Sequence, residues 1–264
     1  MKNKAFKAIS ILLLISFSAG ICFAYELYSI DFPKDEVVIF LNHMANGETA
    51  QVFNTHYKWN NDYVIKAVEE NGNVIKIVVN KYFIPKIYKK VSKSGKVLEY
   101  TSYDKGELTV SIPHKRIKKA VELPSTYYDP YTLFYAFRKF PFGKKDKINI
   151  NLAYHDPGNI RVVQMYVKNL GTETVKIGAG KFKCYKLEMG TVKRADTVIW
   201  PYKYYFWFTA DSRHHFVKFQ GREKDASIII SELAIYKVGK KFIVKSSLDD
   251  YQSDISVSSR RKEI

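Results

Sequence analysis

STYYDPYTLFYAFRKFPF, residues Ser125 to Phe142, reads as a compact amphipathic helix in a chain that otherwise reads as strands. Asp129 suits the N-cap, because its carboxylate accepts an N–H that has no intrahelical partner, and Pro130 suits the first helical position, where its missing N–H costs nothing. Leu133, Phe134, Phe137 and Phe140 recur at spacings of three and four, which gathers them on one face. Arg138 and Lys139 fall in the last turn, where positive charge meets the helix dipole, and Pro141 ends the run. A helix this short is marginal alone. At about 1.5 to 3 kcal/mol for each large apolar side chain, burial of that aromatic face is what holds it.

On either side of this stretch the pattern is strand after strand. Val37 to Leu41 and Thr49 to Trp59 come first; Asp62 to Glu69 and Val74 to Val79 flank Asn71-Gly72, the strongest short hairpin signal. Tyr82 to Val91, Val97 to Tyr103 and Glu107 to Ile112 continue the meander, with turns at Ser94-Gly95 and Asp104-Lys105-Gly106. Beyond the helix, Lys147 to Ala153 and Ile160 to Leu170 flank Asp156-Pro157-Gly158, and Thr172 to Ile177 and Lys181 to Met189 flank Gly178-Ala179-Gly180. Lys203 to Thr209, His215 to Phe219, Ala226 to Val238 and Lys241 to Lys245 complete the set.

The fold class that follows is mainly β: one strongly curved antiparallel sheet, a half-barrel, wrapped around one short central α-helix. In the Lys203 to Thr209 strand, Tyr205 and Trp207 point one way while Tyr204, Phe206 and Phe208 point the other, so both faces require cover. The helix covers one. A second layer, a loop or a bound apolar ligand must cover the other.

The N-terminus, MKNKAFKAISILLLISFSAGICFA, has three lysines, an apolar run from Ile9 to Phe17 and small residues before Ala24, which is the pattern of a cleaved signal peptide over residues 1–24. No later segment is long and apolar enough to span a bilayer. Ile21 stands where a lipoprotein signal needs a small residue before Cys22. With Cys22 removed, Cys184 is the one cysteine, and no internal disulfide forms despite an oxidising destination. Residues 25–245 read as a single domain and 246–264 as a polar, serine-rich tail. The expected location is the periplasm.

Loss of Lys2, Lys4 and Lys7 takes the formal charge from +17 to +14. Outside the cytoplasm such an excess points to lipid head groups or cell-wall polymer more than to nucleic acid. The bases are 35 Lys and 8 Arg, and bidentate phosphate recognition favours Arg, so a diffuse lysine coat is the plainer account. The densest cluster is His114-Lys115-Arg116-Ile117-Lys118-Lys119. Its lysines either guard an edge strand or contact an anionic surface through Lys115, Arg116, Lys118 and Lys119.

Motifs for chemistry are missing. No Gly-x-Ser-x-Gly elbow occurs, Cys184 sits in a strand pattern between Phe182 and Tyr185, and the histidines show no metal-ligand spacing. His214-His215 near Asp211 and His155-Asp156 are the clusters present, and they read as solvated turns. Gly178-Ala179-Gly180-Lys181 lacks the pattern of a phosphate loop, and no cofactor motif stands elsewhere. Catalysis, metal and cofactor are therefore not expected; an envelope hydrolase would need a cleft with paired carboxylates.

Three segments together resemble a bacterial family of exported proteins, domain-of-unknown-function family 3108. They are Tyr128-Asp129-Pro130 with the aromatic helix, the glycine turn Ile177-Gly178-Ala179-Gly180-Lys181-Phe182 leading into a strand, and Phe206-Trp207-Phe208-Thr209-Ala210-Asp211-Ser212-Arg213. The resemblance runs from about Val37 to Val238, and it departs at His214-His215-Phe216, where the family pattern often has Pro. It implies a half-barrel around a helix, similar to periplasmic carriers and sensors of lipoproteins, and no catalytic residues to transfer. The expected function is a non-catalytic periplasmic protein that holds a lipid or other amphiphile in an apolar concavity lined by Leu133, Phe134, Phe137, Phe182, Tyr205 and Trp207. The alternative is an envelope protein-protein interaction or sensor module with a dry core and a basic docking face.

Overall fold

The computed structural model describes residues 27, 33, 36–44, 49–59, 62–69, 71–156, 159–193, 196–197, 200–222 and 228–245. The expected signal segment 1–24, Cys22 and the tail 246–264 lie outside the described residues. The strands are β1 (Glu36–Met44), β2 (Thr49–Trp59), β3 (Asp62–Glu69), β4 (Val74–Val79), β5 (Pro85–Val91), β6 (Val97–Asp104), β7 (Glu107–Ile112), β8 (Ile117–Glu122), β9 (Lys147–Asp156), β10 (Asn159–Ile177), β11 (Gly180–Thr191), β12 (Tyr204–Thr209), β13 (Phe216–Arg222), β14 (Ile228–Val238) and β15 (Lys241–Lys245). All belong to one antiparallel sheet, ordered β8 through β1, then β14 back through β9, with β15 beside β14.

Each half of the sheet is a meander of neighbours in sequence, and β1 pairs with β14 to join them. Local signals set most of this. Gly72 takes a φ of +81° in the β3–β4 turn, a conformation only glycine adopts freely. In β7, Leu108, Val110 and Ile112 are buried in alternation, as a strand with one core face requires. Several expected boundaries moved, two of them for reasons visible in the turns. β5 starts at Pro85 and not at Tyr82, because the Asn80 carboxamide accepts the N–H groups of Tyr82 (2.9 Å) and Ile84 (3.1 Å) and holds a turn there. β10 is a single 19-residue strand and does not break at Gly171; a register shift between Asn169 and Thr172 absorbs the glycine.

The helical segment, residues 130–139, lies on the concave side. Its α-helical part is Leu133–Ala136, extended by 3-10 turns Pro130–Thr132 and Phe137–Lys139. The Asp129 carboxylate accepts the Tyr131 N–H at 2.8 Å as the N-cap. Leu133, Tyr135, Ala136, Phe137 and Phe140 are all buried, more than the one face that the spacing predicts. Both halves of the sheet supply the walls. Tyr135 meets Phe83 of the first half (6.0 Å between ring centroids), whereas Phe137 meets Phe206 (5.2 Å) and Phe134 meets Phe216 (4.6 Å) of the second.

The ends of the sheet are β8 and β9, adjacent in sequence but far apart along the sheet. The residues between them carry the helix. Tyr128 covers the β9 edge: its N–H donates to the Asn151 carbonyl (2.9 Å) and its carbonyl accepts the Ala153 N–H (2.8 Å). At the β8 edge, Lys118, Lys119 and Ala120 are exposed, and charge there discourages edge-to-edge pairing.

Candidate functional site

The helix is fastened at both ends by charged groups from distant strands. At its start, Asp129 is fully buried and also receives a hydrogen bond from the Tyr103 hydroxyl. His155, from β9, lies between two carboxylates: Nε2 is 3.0 Å from Asp129 Oδ2, and Nδ1 is 2.7 Å from Glu99 Oε1 on β6. Burial disfavours the charged ring, yet hydrogen bonds to Asp129 and Glu99 outweigh that penalty and raise its pKa to about 9. Both ring nitrogens therefore donate, and His155 is an imidazolium at neutral pH. The Tyr88 ring packs edge-on against it at 4.9 Å. Burial, and next the charges of Tyr131 and Glu99, keep Tyr88 protonated.

At the other end of the helix, Arg138 Nη1 donates to both oxygens of Glu36 at 2.9 and 3.1 Å. Arg138 lies in the last turn, as expected, and the ion pair it makes there is buried: the Arg138 and Glu36 side chains are 8% and 0% exposed. Arg138 Nη2 lies 3.3 Å from His215 Nδ1, which must then accept. Burial, with Arg138 alongside, lowers the His215 pKa to about 4 and keeps it neutral. His155 and His215 thus occupy buried ion networks, contrary to the expected solvated turns. His214 does lie in the turn, with φ of +47° and its N–H on Asp211 Oδ1 at 3.2 Å.

On the concave side there is a void of about 10 Å3, bounded by Phe40, Phe134, Tyr135, Arg138, His215 and Tyr236. That is room for one water. Of the expected lining residues Phe134 borders this void; Phe134 and Phe137 meet Phe206 at 6.1 and 5.2 Å, and Leu133 is buried in the same core. Tyr205 and Trp207 do not join them: they point away from the helix, their rings 6.3 Å apart, and by alternation along β11 Phe182 shares the side of Lys186. Trp207 donates its indole N–H to Glu173 at 2.5 Å, and Lys186 and Lys218 lie 5.0 and 6.0 Å from its ring centroid. Among the described residues the Lys186 and Lys218 stems lie over Trp207, while the loop residues Pro201 and Tyr202 line a cleft with Tyr205.

The basic run divides between a 3-10 turn, Pro113–Lys115, and β8. Lys115, Arg116, Lys118 and Lys119 are exposed, with Arg116 at φ of +52° and Lys118 opposite Ser111. Cys184 is buried, and burial pushes its thiol up to about 12, far from the thiolate a nucleophile needs. Among the described residues no three His, Cys, Asp or Glu groups form a metal-binding set, and no helix is long and apolar enough to cross a membrane.

The carboxylate-imidazole-carboxylate arrangement escaped the sequence reading because its members are 26 and 56 residues apart. No local spacing marks it. For Glu36 and Arg138, 102 residues apart, the same holds.

The family described as "Protein of unknown function (DUF3108)" matches residues 75–230. Among curated proteins none matches the chain. A beta-barrel-like protein of the domain of unknown function DUF1849 from Brucella abortus has a similar fold, with a TM-score of 0.55 at 10% identity over 80% of this chain and 100% of that one. The hypothetical lipoprotein YmcC from Escherichia coli gives 0.35 at 9% identity over 75% and 83% of the two chains. The lipoprotein LppX from Mycobacterium tuberculosis gives 0.25 at 8% over 79% and 89%.

Proposed function

Because this chain belongs to the DUF3108 family, whose function is unknown, we propose from its own geometry that it is a non-catalytic binding protein of the cell envelope, acting through its outer surface. The observation that carries the reading is the filled concavity. The void beside the helix, about 10 Å3 among the described residues, is far below the several hundred Å3 of an ordinary ligand pocket, which favours a binding surface over an enclosed guest. The docking face is the exposed set Lys115, Arg116, Lys118 and Lys119, and the partner is an acidic face of another envelope protein. The export pattern of residues 1–24 supports the location, and the inert Cys184 supports the absence of nucleophilic chemistry.

Affinity capture on the mature chain, from envelopes of the source cells, tests this. One stoichiometric partner is expected, released by salt and lost in a variant with Lys115, Arg116, Lys118 and Lys119 all changed to Gln. Retention of the same partner by that variant removes the basic face from the contact.

A second reading is favoured by the apolar wall itself. Leu133, Phe134, Phe137 and Phe206 would line a lipid or amphiphile site if the helix left the sheet, and Tyr205, Trp207 and Phe182 would stay outside it. Native mass spectrometry of protein purified from the envelope decides: a retained lipid of defined mass supports this second reading, and bare protein supports the first.

A further inference from the structure

The strand ends at the helix C-terminus carry a second basic surface, distinct from the Lys115 to Lys119 face and built differently. Glu36, the C-terminal end of the helix, the β10–β11 turn and the β12–β13 turn all lie at this end of the sheet, whereas the turn before β8 lies at the opposite end. Three half-buried rings stand at its centre. Phe142 stacks on Tyr185 at 4.2 Å and 16°, and His214 meets Phe142 at 4.7 Å and Tyr185 at 5.7 Å.

Exposed bases surround the rings. Lys144 and Lys145 follow Phe142 in a turn closed by the Pro141 carbonyl, which accepts both of their N–H groups at 3.0 Å. Lys183 is placed beside the β12–β13 turn by its carbonyl, which accepts the Ala210 N–H at 2.8 Å, and Arg213 lies in that turn. Lys144, Lys145, Lys183 and Arg213 are all exposed. The acids nearby include Asp146, Glu173 and Asp211; Asp211 accepts the Thr209 hydroxyl at 2.7 Å and the Arg213 N–H at 3.1 Å, and its other oxygen lies 3.4 Å from the Arg213 guanidinium. Hydrogen bonds from those groups hold the Asp211 carboxylate below its usual range despite its partial burial, so it stays ionised as a brace of the turn.

We infer that this end of the protein docks on an anionic lipid surface, the cluster Lys144, Lys145, Lys183 and Arg213 meeting the head groups while Phe142 and Tyr185 rest at the interface. A ring of lysines about amphipathic aromatics fits that occupant for two reasons. Lysines attract a sheet of negative charge without fixed geometry, and aromatic rings prefer the boundary between hydrocarbon and water. An acidic protein face would supply the charge but no soft apolar layer for rings that are already half covered.

Co-sedimentation of the mature chain with vesicles tests it. Binding is expected to vesicles of equal parts phosphatidylglycerol and phosphatidylcholine, weakened by salt, and not to phosphatidylcholine alone. A Lys144→Gln/Lys145→Gln/Lys183→Gln variant is expected to bind roughly a hundredfold more weakly. A variant neutralised at Lys115, Arg116, Lys118 and Lys119 is expected to keep most of the affinity, so the test stands apart from the protein-docking proposal. Thermal melts check that both variants fold; all of the changed side chains are exposed. Equal binding to both vesicle types, an undiminished triple variant, or an equal loss in the Lys115 set overturns the inference.

Discussion

Removal of the His155 charge has a magnitude that follows from the geometry. An imidazole held between Asp129 and Glu99 has its pKa raised from 6.5 to about 9 in the folded protein. Folding therefore favours the protonated ring, and the stabilisation is complete below about pH 6.5, falls as pH rises and is gone above about pH 9. At 1.36 kcal/mol for each pH unit, this amounts to about 3 kcal/mol, a sizeable part of the 5–15 kcal/mol that holds a typical domain together. Urea unfolding at about pH 6 and about pH 10 gives the wild-type slope, and His155→Gln gives the background from lysines and tyrosines. The difference between the two proteins is expected to shrink by about 3 kcal/mol between these pH values. At the lower pH the variant also leaves Asp129 buried beside a neutral amide, so it is the less stable there. A pH dependence that is the same in both proteins refutes the imidazolium assignment and with it the clamp at the start of the helix.

Further outcomes follow from other contacts. Arg138→Met strands Glu36 in the core and is expected to cost about 3–5 kcal/mol in denaturant unfolding, much of it recovered by adding Glu36→Gln. Because His215 has its pKa lowered to about 4, the unfolded chain takes up a proton there first as pH falls below about 6.5; stability should drop between these values, and His215→Asn should flatten that acid limb in urea melts. Gly221→Ala places a methyl 2.5 Å from Phe219 and 2.7 Å from Tyr204 ring atoms and is expected to cost about 1–3 kcal/mol by thermal melting. Cys184 should resist Ellman's reagent in the folded protein and react fully in denaturant.

The parts of the fold that were legible in the sequence are those governed by neighbouring residues. Asn71-Gly72, Ser94-Gly95 and Asp104-Lys105-Gly106 are turns with positive φ at their glycines, because each carries its own backbone preference. β3, β4 and β7 begin and end where alternation predicted. The aromatic spacing of residues 130–139 was sufficient to predict a buried helix on a curved sheet. It did not predict a helix buried almost all round, since that depends on walls from both halves of the chain.

The sequence by itself thus determined the element types, the turns and the need for the helix to be covered, because periodicity and turn chemistry act over a few residues. Only the tertiary structure decided that the concavity is full, that Trp207 faces lysine stems away from the helix, and that Arg138 and His155 are buried ions. Those outcomes depend on Glu36, Glu99 and Asp129 arriving from far along the chain. A buried charge is tolerable only where its partner also arrives, and no stretch of local sequence encodes that meeting.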